Sequence, residues 1–121
     1  MARRPDQYLV DILDAVAAVR AYTRGGRSAF LRSAMTRDAV IARLTEIGEA
    51  VKGAQAGGID LEALAPEIPW RQIAGMRDVL SHHYWRTDPA IVWGVAAEHL
   101  KPLETAVRKI RGSGVTRSRR N

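Results

Sequence analysis

Residues 70 to 85 read Trp-Arg-Gln-Ile-Ala-Gly-Met-Arg-Asp-Val-Leu-Ser-His-His-Tyr-Trp. At about 100° per residue, Ile73, Met76, Leu80 and His83 recur on one side, so the stretch is predicted to be an amphipathic helix with these four toward the core. Arg77, Ser81 and Tyr84 share a second face. Asp78 and His82 stand at i, i+4, where a carboxylate can orient an imidazole. Arg77 and His82 lie about 140° apart on an ideal helix. For both to meet one phosphate, the helix must end or distort near Ser81, or a second subunit must supply one of the pair.

The residue types suit cleavage of a phosphodiester. Histidine titrates near neutral pH and can take a proton from a ribose 2′-hydroxyl or return one to the leaving oxygen. Arginine stays charged, and its planar fork matches the oxygens of a phosphorane. The same spacing also describes ordinary surface and packing residues.

Working outward, Pro66 to Pro69 form a rigid bend that leaves Trp70, a core anchor, to open the central helix. Asp60 to Leu64 read as a short helical turn. Before them, a helix is expected from Thr36 or Arg37 to about Ala56, with Val40, Leu44, Ile47 and Val51 on one face and Gly57-Gly58 as its stop. Gly48 inside it costs about 1 kcal/mol relative to Ala, and close approach of another helix would justify it. Glu49 is placed to salt-bridge or cap a neighbouring group. Residues 24 to 37 form an Arg-rich connection with a short turn near Phe30-Leu31. The first helix spans about Asp6 to Thr23 on a stripe of Leu9, Ile12, Leu13, Val16 and Val19. Tyr8 and Tyr22 read as edge-packing rings.

On the other side, Asp88-Pro89 is a cap followed by proline at the first helical position. The last helix is expected from Pro89 to about Ile110, with Val92, Ala96, His99, Leu103, Val107 and Ile110 inward. His99 reads as structural, and Pro102 should kink or divide the helix. The apolar surface is broader than one stripe, which suits a central helix or a subunit interface. Residues 1–110 form one helical domain, and 111–121 a disordered, basic, flexible tail. No strand, Walker loop, dinucleotide fingerprint or His-Glu-x-x-His pair is present.

The chain has 121 residues, 46% of them hydrophobic, which suits one domain with its own core. It has no cysteine, which excludes a disulfide scaffold. The N-terminus lacks a signal peptide's apolar run, and no stretch is long enough to span a bilayer, so a cytoplasmic protein is expected. The net charge of +6 is unevenly spread: no acid follows Glu104, and none lies between Asp14 and Asp38. Arg20, Arg24, Arg27, Arg32 and Arg37 fill that second gap and are candidate RNA contacts; the tail is either a further contact or a solvated end. A DNA-binding reading is disfavoured, because the helix bearing Arg77 has few base-reading side chains on one exposed face.

The chain resembles the HEPN superfamily, and within it the HepT-like ribonuclease toxins of nucleotidyltransferase–HEPN toxin–antitoxin pairs of the MntA–HepT type. The resemblance covers roughly residues 8 to 104. It rests on Ala39-Val40 with Arg43-Leu44, Ile47-Gly48-Glu49-Ala50, Ile68-Pro69-Trp70 with Ile73-Ala74-Gly75, Arg77 to Tyr84, Asp88 and Val92-Trp93, in that order. It implies an all-α, antiparallel four-helix up-and-down bundle and a homodimer that sets two Arg-x4-His pairs in one cleft. It implies Arg77 and His82 as the catalytic pair of a metal-independent endoribonuclease that needs no cofactor. Asp78 departs from the family's usual polar residue, often Asn, and is the supporting group. Tyr84 is implied as the tyrosine that a cognate nucleotidyltransferase antitoxin AMPylates to silence the toxin. The other reading is a non-catalytic HEPN nucleotide-binding or partner module of a nucleotidyltransferase.

Overall fold

The computed structural model describes residues 3–83 and 88–114. For Ser81, His82 and His83 the description is confined to the backbone. Its elements are α1 (Pro5–Tyr22), α2 (Arg27–Arg32), α3 (Ala34–Ala56), α4 (Leu61–Leu64), α5 (Trp70–His83), α6 (Pro89–Gly94), a π-helical turn (Val95–His99) and α7 (Leu100–Gly112). The described residues contain no strand. α1, α3, α5 and the composite α6–π–α7 rod are the four main helices of the all-α, HEPN-like bundle. α4 is the expected small turn, and α2 occupies the Arg-rich connection. Of the expected flexible tail, 111–121, Arg111 and Gly112 instead belong to α7, and the Arg111 Nε–H donates to Asp6 of α1 at 2.9 Å; residues beyond 114 lie outside the described residues.

Local chemistry accounts for most boundaries. Pro5 opens α1 at a position that needs no N–H donor. Asp88 accepts a hydrogen bond from the Ala90 N–H at 2.8 Å and so caps α6 as expected. α3 starts two residues before the expected Thr36, because Ser33 caps it by accepting from the Thr36 N–H at 3.1 Å. α3 stops in a Schellman turn. Gly58 takes φ +99°, and the Ile59 N–H reaches back to the Ala54 carbonyl at 3.1 Å.

The core is one cluster. α1 contributes Leu9, Ile12, Val16 and Val19, α3 contributes Val40, Leu44, Ile47 and Val51, and α7 contributes Leu103, Val107 and Ile110. Trp70 is buried, and its indole N–H donates to the Ala65 carbonyl at 2.9 Å, which anchors the start of α5. Phe30 of α2 is buried too, and it meets Trp93 of α6 with ring centroids 5.5 Å apart. That contact pins the Arg-rich connection to the bundle.

One packing expectation holds in part and one is corrected. On α5, Leu80 is buried, but Ile73 and Met76 are only partly so. The buried stripe passes through Trp70 and Ala74 instead and leads to Arg77, whose Cβ faces Gly48 of α3. The side chain of His83, the fourth residue of the expected face, lies outside the described residues. On the last rod, His99 was expected inward and is exposed. Pro102 has no N–H to offer the Glu98 carbonyl, and its ring would strike that carbonyl in an α-helix. A π turn over Val95–His99 absorbs the conflict one turn upstream. It inserts one residue into the register, so Leu100 turns inward and His99 turns out.

Candidate active site

The site forms where α3 crosses α5. The two helices approach so closely that a Cβ added at Gly48 would sit 2.9 Å from the Ile73 carbonyl oxygen and 3.1 Å from the Arg77 Cβ. The close approach expected of Gly48 is therefore real, and its partner is the backbone that carries Arg77.

From that crossing the Arg77 side chain reaches back over α3. Its Nε–H donates to Glu49 Oε1 at 2.9 Å, and its NH1 donates to Asp78 Oδ1 at 3.0 Å. Lys52 Nζ stands 3.8 Å from the second Asp78 oxygen. The hydrogen bond to Glu49, and then that to Asp78, raise the Arg77 pKa above its ordinary value, so the guanidinium stays charged at any working pH. The Arg77 side chain is 39% exposed, and its remaining N–H groups have no partner among the described residues. Two cations and two carboxylates thus make a locally neutral cluster, open on one edge of the guanidinium among the described residues.

His82 lies on the same helix. Its backbone is still helical, since α5 continues past Ser81 to His83. The described part of α5 shows no break up to His83, two residues past Ser81, where an end or distortion was one of the two ways expected for bringing Arg77 and His82 onto one phosphate. The His82 side chain and the whole of Tyr84 lie outside the described residues. Glu49 makes the salt bridge expected of it, with Arg77 as the partner, and Lys52 joins the cluster without a motif that marks it. The one available signal was their spacing at i, i+3 beside Gly48.

The five arginines expected to bind RNA are placed differently from one another. Arg24 and Arg27 are exposed on the turn and the first residue of α2. Arg32 donates to Ser28, and Arg37 to the Leu31 carbonyl at 2.6 Å. Arg20 donates to Glu104 at 2.8 Å. Glu104 is itself buried on α7, and Arg108 completes the pair at 3.1 Å. The Arg20 hydrogen bond, with help from Arg108, pulls the Glu104 carboxyl down to about 2.

Two grooves flank this region. One, of about 390 Å³ between α1 and α3, is lined by charged side chains, including Asp11, Arg43, Glu46 and Glu49. The other, of about 350 Å³, is apolar and lies between α5 and the last rod, with Ile73, Met76, Val95, His99 and Leu100 on its walls. No described helix is long and apolar enough to cross a membrane.

A helical bundle that presents a clamped arginine five residues before a histidine on one helix defines a candidate acid–base site for a phosphodiester. The model of the family described as "Ribonuclease HepT-like" matches residues 12–110. The chain is 38% identical over 112 residues to "Probable ribonuclease HepT" of Thermococcus cleftensis, covering 92% of this chain and 99% of that protein. It is 32% identical over 110 residues to "Putative RNase MJ0127" of Methanocaldococcus jannaschii, covering 87% and 88%. A third relative, "Gamma-glutamylcyclotransferase and putative RNase MJ0434" of the same organism, is 32% identical over 104 residues, and the match spans 46% of its length. No solved structure matches. The chain belongs to the HepT-like ribonuclease family.

Proposed function

We propose that this protein is a metal-independent endoribonuclease, the toxin of a nucleotidyltransferase–HEPN pair, acting in the cytoplasm. The observation that carries the reading is the tethered, part-exposed Arg77 guanidinium on the helix that bears His82, in a chain of ribonuclease kinship. His82 accepts the proton of the 2′-hydroxyl as that oxygen attacks phosphorus, or protonates the departing 5′-oxygen. Arg77 stabilises the extra charge on the phosphorane. The products are a 2′,3′-cyclic phosphate and a free 5′-hydroxyl. Asp78 is the proposed orienting group for His82, in addition to its bond with Arg77. Arg20, Arg24, Arg27, Arg32 and Arg37 are proposed to hold the RNA backbone. A homodimer would bring His82 of one protomer toward Arg77 of the other, which answers their separation of about 140° on one helix. The cognate nucleotidyltransferase would silence the enzyme by adding AMP to Tyr84.

The test is cleavage of RNA by the purified, unmodified protein without metal, beside His82→Ala and Tyr84→Phe. Loss in His82→Ala with retention in Tyr84→Phe is expected. Equal rates for His82→Ala and wild type would refute the assignment.

One observation favours the second reading, a non-catalytic partner module. Glu49 and Asp78 already balance Arg77 and Lys52, so the cluster offers an incoming phosphate no net positive charge. An inert wild type whose mass shows Tyr84 free of AMP would select that reading.

A further inference from the structure

Arg77 is tied by two carboxylates, and they are not equivalent. Asp78 is its neighbour on α5 and moves with it. Asp78 sets the rotamer from within α5, and its own described link to α3 is the longer contact with Lys52 at 3.8 Å. Glu49 lies 28 residues away on α3, and its hydrogen bond to Nε is the one described link from the Arg77 head group to another helix. Gly48, the residue before Glu49, is what brings that carboxylate within reach. Any side chain there would drive α3 away from the Ile73 carbonyl and from Arg77 itself.

We propose that Glu49 is a positioning residue for Arg77, holding the Nε edge of the guanidinium so that its open edge is turned toward the scissile phosphate; this rests on the ribonuclease reading. A free arginine side chain samples many rotamers, and orienting it only when substrate arrives would slow the chemical step. Stability does not explain the pair. The side chains are 39% and 54% exposed, and ion pairs this exposed add little to folding. The negative charge of Glu49 also has a cost in binding, because it sits beside the group that must attract an anion. Geometry and charge therefore pull in opposite directions at one residue, and two substitutions separate them. Glu49→Ala removes both. Glu49→Gln keeps an acceptor oxygen of the same reach for Nε–H and removes only the charge.

The experiment uses the full-length protein, a single-stranded RNA oligonucleotide and no added metal, with kcat and KM resolved for wild type, Arg77→Ala, Glu49→Ala and Glu49→Gln. Thermal unfolding is followed alongside. Glu49→Ala is expected to lower kcat about 10- to 100-fold, the scale of a misplaced reacting group. Its Tm should shift by no more than about 4 °C. Glu49→Gln should restore most of kcat and lower KM about two- to fivefold, the scale of one exposed charge. An Arg77 Nε–H resonance present in wild type and Glu49→Gln but averaged away in Glu49→Ala would report the tether directly. If wild type cleaves and Arg77→Ala does not, yet Glu49→Ala keeps the wild-type kcat, the positioning role is wrong and the ribonuclease reading stands. Equal slowing by Ala and Gln would also overturn it, since the charge itself would then be the active feature. A wild type that does not cleave, with its mass showing Tyr84 free of AMP, removes the ribonuclease reading and this role with it.

Discussion

Gly48→Ala tests the helix crossing on which the site depends. The added Cβ would stand 2.9 Å from the Ile73 carbonyl oxygen, 3.1 Å from the Arg77 Cβ and 3.2 Å from the Arg77 nitrogen. Ordinary contact begins near 3.4 Å, so the helices must part by about 0.5 Å. None of the three atoms belongs to a flexible side-chain end, so none can swing aside. Alanine favours the helix by about 1 kcal/mol over glycine. Overpacking of this kind costs about 1–3 kcal/mol. The net expectation is a loss of about 0–2 kcal/mol, or up to about 10 °C in Tm. The same movement would stretch the 2.9 Å bond between Arg77 and Glu49 beyond good hydrogen-bond length. RNA cleavage should therefore fall about tenfold or more, out of proportion to the stability change. Gly75→Ala on the facing helix is the control. Nothing lies within 4 Å of a Cβ there, so helix propensity should act alone and raise Tm. Calorimetry and single-turnover cleavage on both variants decide the matter. A Gly48→Ala protein as stable as Gly75→Ala, with wild-type cleavage, would refute the crossing geometry and the argument built on it.

Three further expectations follow from other contacts. Glu104 has a folded-state pKa of about 2, below its unfolded value, so its stabilising effect is full above about pH 4.5 and is lost as pH falls toward 2. Discounted for the half-exposed Arg20 partner, the effect is about 1–2 kcal/mol, and Glu104→Gln should flatten the pH dependence of urea unfolding in that window. Ser33→Ala removes the cap of α3 and should cost about 1 kcal/mol in denaturant titration, without changing the arginine clamp. Trp70→Phe removes one of two donors to the Ala65 carbonyl, which keeps the Ile68 N–H at 3.2 Å, and leaves space where the indole packed. It should cost about 1–3 kcal/mol in denaturant titration, and an unchanged stability would refute the anchoring role of the indole.

Much of this protein was legible in the chain because the signals are short-range. A 3.6-residue stripe needs only neighbours along one helix, and so α1, α3, α5 and the last rod stood out. Asp88-Pro89, Gly57-Gly58 and Pro102 act within a turn of themselves, and each marks a real boundary or distortion. The candidate pair Arg77 and His82 was visible for the same reason, as a local pattern. The outward turn of His99 was not, because the register beyond a π turn depends on where the rod relieves its proline conflict. Nor were the links from Arg77 to Glu49 and from Arg20 to Glu104, which join residues 28 and 84 apart. The sequence alone determined which segments are helical and singled out Arg77 and His82 as candidates, because helix periodicity, capping and motif spacing are settled within a few residues. Which carboxylate holds which arginine was decided only by the tertiary structure, because an ion pair across helices exists where crossing distance allows it, and that distance is set by Gly48 and the core around it.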